Sequence, residues 1–248
     1  MDIADHLDQL DGEGARLAAV LAATSPDAPV PSCPEWALRD LAFHLGGVHR
    51  WATAFVAGSH TEPGQVDFAT QAGPRPSDAA LAEWVVAGHA ALVTTLRDTS
   101  PDLACWTFMP APSPLAFWAR RQAHETTIHR VDAELAARRS PTPVTTAFGA
   151  DGVDEFLTGF VPRRRANRTD EPPRTLAISC ADAPDRWHLT LGPDPAAHRG
   201  DGVEAADCVV EANASDLFYA VWNRHSTAGF SLKGDAAVFE QLLGRARS

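Results

Sequence analysis

The spacing of apolar residues changes once along this chain, and that change sets the architecture. Up to about residue 140 it follows the period of a helix. The first stretch runs from about Asp2 to Ala23, with Ile3, Leu7, Leu10, Leu17, Val20 and Leu21 on one stripe. Val30-Pro31-Ser32-Cys33-Pro34 then breaks the pattern, and Pro34 suits the first turn of a second helix reaching Ala57, stopped by Gly58. Ser77 is placed to cap a third helix ending near Asp98. Ser113-Pro114 opens a fourth, to about Arg139, and Thr146 to Val161 closes this half.

Residues 162–174 are rich in Pro, Arg, Asn, Asp and Glu and read as a linker. Beyond it the period becomes two, at Thr175–Ser179 and Trp187–Leu191, with a third strand at Cys208–Glu211. Ser215–Trp222 reads as a helix, Phe230–Lys233 as a strand and Ala236–Leu243 as a last helix. The expected fold is therefore α+β. A four-helix bundle domain over 1–165 precedes a small α/β domain with an antiparallel sheet over 172–248.

Charge and composition narrow the function classes. The formal net charge of -11 argues against a nucleic-acid partner, because phosphate binding wants a basic face. The one basic cluster, Arg163–Arg165 with Arg168, falls in the linker. No run of 18 apolar residues occurs, so no membrane span is expected. The N-terminal stretch Met1 to Leu10 carries Asp2, Asp5 and Asp8 where a signal peptide needs basic residues, which makes a cytoplasmic location the expectation. Cys33, Cys105, Cys180 and Cys208 are too scattered for a zinc knuckle or a redox pair. Cys33, just before the expected second helix, is either a plain small helix-start residue or a thiol placed for acidification.

Chemistry concentrates in the fourth helix, at Arg120-Arg121-Gln122-Ala123-His124-Glu125-Thr126-Thr127-Ile128-His129-Arg130. Glu125 and His129 are four apart and share a face, where a carboxylate and an imidazole can grip one cation. This is not the HExxH protease pattern, which would need His where Ile128 stands. A third ligand is offered by His44, on the expected inward row Leu41, His44, Val48, Trp51 and Phe55 of the second helix. Asp40, one turn earlier, is placed to orient the other ring nitrogen of His44. Gly46-Gly47 permits close helix contact or ligand entry. Against this stands a plainer account: an inward His is commonly a hydrogen-bonded core residue, and Glu125–His129 an ordinary helix pair.

Two blocks decide between these accounts. Cys33-Pro34-Glu35-Trp36 with Arg39-Asp40-Leu41 and His44-Leu45-Gly46-Gly47 is the first; His124-Glu125 to His129-Arg130, with Asp132 and Glu134, is the second. Together they resemble the mycothiol-dependent maleylpyruvate isomerase family, related to the DinB-like metal-binding four-helix bundles. A weaker likeness at Trp222-Asn223-Arg224 and Gly234-Asp235 extends it to the C-terminal part. The resemblance implies a divalent metal, zinc, held by His44, Glu125 and His129, with mycothiol as the thiol cosubstrate. It implies a substrate-binding role for Arg224. The expected partners are a small electrophilic substrate and a low-molecular-weight thiol, with cis–trans isomerisation or S-transfer as the reaction. The competing classes are a non-catalytic regulatory or scaffold module with a structural metal, and a carrier using Phe218, Tyr219, Trp222 and Phe230 to hold an apolar ligand.

Overall fold

A computed structural model describes residues 1–163, 172–200 and 206–245. Most of the expected linker, and the basic cluster beyond Arg163, lie outside the described residues. The chain forms two compact units, Met1–Thr142 and Pro143–Ser248.

In the first unit, α1 (Ile3–Ala23), α2 (Leu38–Ala57), α4 (Asp78–Asp98) and α5 (Pro114–Ala136) form the bundle, with a short α3 (Phe68–Ala72) beside α2. The principal packing pairs are α1 with α5 and α4, and α2 with α4 and α5, which closes a ring of four. Leu17, Val20, Leu38, Leu41, Leu45, Leu81, Val85 and Ala133 fill one end of its interior. Asp2 and Asp5 cap α1 reciprocally, and Ser113 caps α5 with Pro114 in the first turn. Ser77 stands at the cap position of α4 without a side-chain cap bond.

The glycine pair has a packing explanation. A Cβ at Gly46 would lie 2.1 Å from the Trp84 ring of α4, and one at Gly47 would lie 2.9 Å from the Phe68 ring of α3. Both are close-approach positions, each for a different neighbour. α4 is long and apolar enough by composition to cross a bilayer. In the bundle its Leu81, Val85, Leu92, Val93 and Leu96 are buried.

The second helix begins later than Pro34 suggests. Pro29 bridges to Ala37 and Val30 N–H donates to Trp36 O, so residues 29–37 make a closed loop and α2 starts at Leu38. Pro34 serves a turn there, and Cys33, half-buried against the core, does not sit at a helix N-terminus.

In the second unit, α6 (Thr146–Asp154) continues into a π-helical turn, Glu155–Phe160. Sequence periodicity grouped this stretch with the helical half, but its glycines fit it to α7 (Ala214–Val221). A Cβ at Gly149 would meet Ala214 backbone at 2.8 Å, and one at Gly152 the Phe218 ring at 2.5 Å. The sheet has strands β1 (Arg174–Cys180), β2 (Arg186–Leu191), β3 (Ala196–Arg199), β4 (Cys208–Ala212) and β5 (Ser231–Gly234), with α8 (Ala236–Arg245) at the end. The order is β3-β2-β1-β4-β5. It is mixed, not wholly antiparallel: β1 and β4 pair in parallel. β3 was not anticipated; its Ala196-Ala197-His198-Arg199 carries no branched or aromatic residue to mark a strand. Phe218 and Tyr219 are buried in this unit, and Trp222 packs on Phe156 and Phe160 at 4.9 and 5.2 Å. That spends these aromatics on packing and removes the main support for a carrier.

Candidate metal centre

α5 departs from an amphipathic helix. Arg121, Gln122, His124, Thr126, Thr127, His129, Arg130, Asp132 and Glu134 are all buried. Most such groups in a core have their hydrogen bonds met. One network is structural: Arg130 Nε donates to Glu13 at 2.6 Å, and Arg130 Nη1 to Glu134 at 2.7 Å and to Thr142 O at 2.9 Å.

The other network is the candidate site. His44, Glu125 and His129 each offer a ligand atom, all within 4.8 Å of one another. His129 Nε2 lies 3.1 Å from Glu125 Oε1, and His44 Nε2 lies 3.7 Å from the same oxygen. Two imidazoles and a carboxylate at this separation fit a divalent cation such as zinc. Burial is graded: the side chains are 34%, 21% and 11% exposed for His44, Glu125 and His129. One side of the set therefore meets solvent, flanked by the Trp36 and Phe68 rings, 5.0 and 6.3 Å from His44.

Charge around the set is balanced by neighbours on the same helix. Arg121 donates to Glu125 Oε2, one turn away. Burial alone would raise the Glu125 carboxyl, but Arg121 and then hydrogen bonds from His129 and His44 hold it well below its usual value. Burial opposes charge on His129 as well. Its hydrogen bonds to Asp132 and Glu125 overcome that and push it up to about 9 in the metal-free protein.

Asp40 does something other than orient His44. Its Oδ2 accepts from Ala37 N–H at 2.9 Å, capping α2, and its Oδ1 accepts from Arg75 at 2.8 Å. The orienting carboxylate is Asp132, whose Oδ2 lies 2.9 Å from His129 Nδ1. Helix spacing held that signal, since Asp132 follows His129 by three and Arg121 precedes Glu125 by four. Arg224 belongs to the second unit, half-buried. Its Nη1 donates to Trp222 O at 2.6 Å and its backbone N–H to Tyr219 O at 2.8 Å.

No curated protein matches the chain. The crystal structure of the mycothiol-dependent maleylpyruvate isomerase is similar in fold, with a TM-score of 0.64 at 12% identity, over 94% of this chain and 93% of that one. A histidine-to-alanine mutant of that isomerase matches at 0.63, with the same identity and coverage. The Mycothiol maleylpyruvate isomerase N-terminal domain matches residues 7–134, and the MDMPI C-terminal domain matches 147–241. The chain therefore belongs to the mycothiol maleylpyruvate isomerase family.

Proposed function

We propose that the protein is a metal- and thiol-dependent enzyme of the maleylpyruvate isomerase type, with His44, Glu125 and His129 as metal ligands and mycothiol as the thiol. The observation that carries the reading is a three-donor set with one solvent-facing side. His44, Glu125 and His129 would hold a divalent ion with three protein donors, the number found in catalytic and not closed structural sites. A divalent ion there supplies positive charge that lowers the pKa of an entering thiol.

The chain's own residues prepare that chemistry. Asp132 accepts from His129 Nδ1 and so leaves Nε2 facing Glu125 and His44. Arg121 takes up part of the negative charge of Glu125. Trp36 and Phe68 give the approach to His44 apolar walls, suited to the carbon body of a small substrate. Arg224 is assigned to a substrate carboxylate. The reaction is then addition of the thiolate to one carbon of a cis double bond, rotation about the resulting single bond, and expulsion of the same thiolate to leave the trans isomer. Nothing is consumed, and the thiol is regenerated.

The test is mycothiol binding and turnover by zinc-loaded protein. Calorimetry should give mycothiol binding that disappears in the apo protein, and maleylpyruvate should isomerise only with both present. Arg224→Ala should raise KM for the carboxylate substrate and leave thiol binding unchanged. Thiol binding without isomerisation would move the assignment to S-transfer onto an electrophile. Absence of thiol binding by fully metallated protein would refute the enzyme reading and leave a structural-metal module.

A further inference from the structure

The loop 29–37 touches both helices that bear the metal-ligand set. Ser32 Oγ donates to Asp132 Oδ1 across a sequence separation of 100 residues. Asp132 is fully buried, and its other oxygen holds His129 Nδ1. Four residues on, the Trp36 ring lies 5.0 Å from the His44 ring. We infer that this loop is the positioning element of the site, and that Ser32, acting through Asp132, fixes the orientation of His129. The inference rests on the metal reading proposed above.

The loop is built to hold still. Val30, 1% exposed, plugs it into the core. Val30 N–H donates to Trp36 O at 2.9 Å, Cys33 N–H to Val30 O at 3.0 Å and Trp36 N–H to Cys33 O at 2.8 Å. Asp40 ties its end through Ala37 N–H. Ser32 is thus presented by a fixed backbone to a fixed carboxylate. A buried carboxylate oxygen that loses a donor costs free energy and can recover it by turning. Turning Asp132 would release the Nδ1 hydrogen bond and with it the direction of Nε2. Outer partners of this kind typically carry about 10–100-fold in metal affinity. Ser32 acts one bond further out, so the lower end, about 10-fold, is expected.

Cobalt affinity, measured by competition with a chromophoric chelator, tests this without reference to turnover. Ser32→Ala should weaken cobalt binding about 10-fold and alter the visible d–d spectrum, with little change in the melting temperature of the metal-free protein. Ser32→Thr, which keeps the hydroxyl, should restore both. In an Asp132→Asn background, Ser32→Ala should add almost nothing, because the two residues act in series. Wild-type affinity and spectrum in Ser32→Ala, or full additivity with Asp132→Asn, would overturn the inference and leave the metal site standing. Failure of the unsubstituted protein to bind cobalt would overturn the metal reading, and this inference with it.

Discussion

α4 and α5 are bundle helices of nearly equal length, 21 and 23 residues, built on opposite terms. α4 buries mainly Leu, Val, Gly and a single histidine, His89. α5 buries charged and hydroxyl side chains all round and still has no free choice of orientation, since each network names its partners. Packing of α4 is non-directional and tolerates exchange of one apolar residue for another. Packing of α5 is directional. It costs stability if one partner is removed, and it is what can hold ligand atoms in register. The difference teaches which helix could hold ligand atoms: the one whose burial is hardest to satisfy.

The largest expected effect breaks that contrast at the metal. His44→Ala, Glu125→Ala and His129→Ala should each lower metal affinity by more than about 100-fold, beyond the range of outer partners. His89→Ala, on α4, should leave it unchanged. Elemental analysis after dialysis against a weak chelator reads this directly. Full occupancy in the His44 variant would remove α2 from the site.

A smaller effect concerns stability. Arg130→Met leaves buried Glu134 without its cation, and Glu13 with Arg16 alone. Breaking such a pair costs about 3–5 kcal/mol. Leu92→Met on α4 conserves volume and should cost less than about 1.5 kcal/mol. Urea unfolding of the metal-free protein compares them. Equal losses would mean that α5 is held by shape alone, as α4 is.

The same contrast explains what the sequence could tell. α1 and α4 were legible to within a residue, because their stripes of Leu and Val need no partner to be recognised. Glu125 and His129 were legible as a pair, since helix spacing brings residues four apart together. The inward row of the second helix offers His44 as a third donor, and the resemblance favours that over a plain core histidine. Asp40 was misjudged because an acid at N3 of a helix is claimed first by the cap. Ser32 could not be found at all: its partner lies 100 residues away, and no local period encodes that contact. The α6 stretch reads as helix, while its grouping with the second unit is not legible in its period. Periodicity reports which face is buried, not what buries it.

The smallest effect appears only in acid and concerns the one buried histidine of α4 and its neighbour on α2. The His49 and His89 rings are 5.4 Å apart. His49 Nε2 pairs with Thr126 Oγ1 at 2.9 Å, and His89 Nε2 with Leu10 O at 3.0 Å. Burial first, then His89, holds His49 well below the ordinary imidazole value; His129 and Arg50 add to this, and Glu125 opposes it. Burial lowers His89 too, against the Leu10 carbonyl and Asp11. Both are therefore neutral in the folded protein at pH 7, while the unfolded chain takes up their protons below about 6.5. A folded value below the unfolded one contributes stability that is complete above about 6.5 and is lost as pH falls toward the folded value. The metal-free protein should thus weaken between pH 7 and 5, and His49→Gln should weaken less steeply over that interval. His89→Gln should flatten the slope less than His49→Gln, since its shift is smaller. Urea midpoints at pH 7, 6 and 5 for the parent and both variants read this, and His89→Gln is the cleaner subtraction, since Glu125 and His129 act on His49. Parallel curves for parent and both variants would show that neither ring is held neutral, and that the α2–α4 contact is wet enough to solvate a charge.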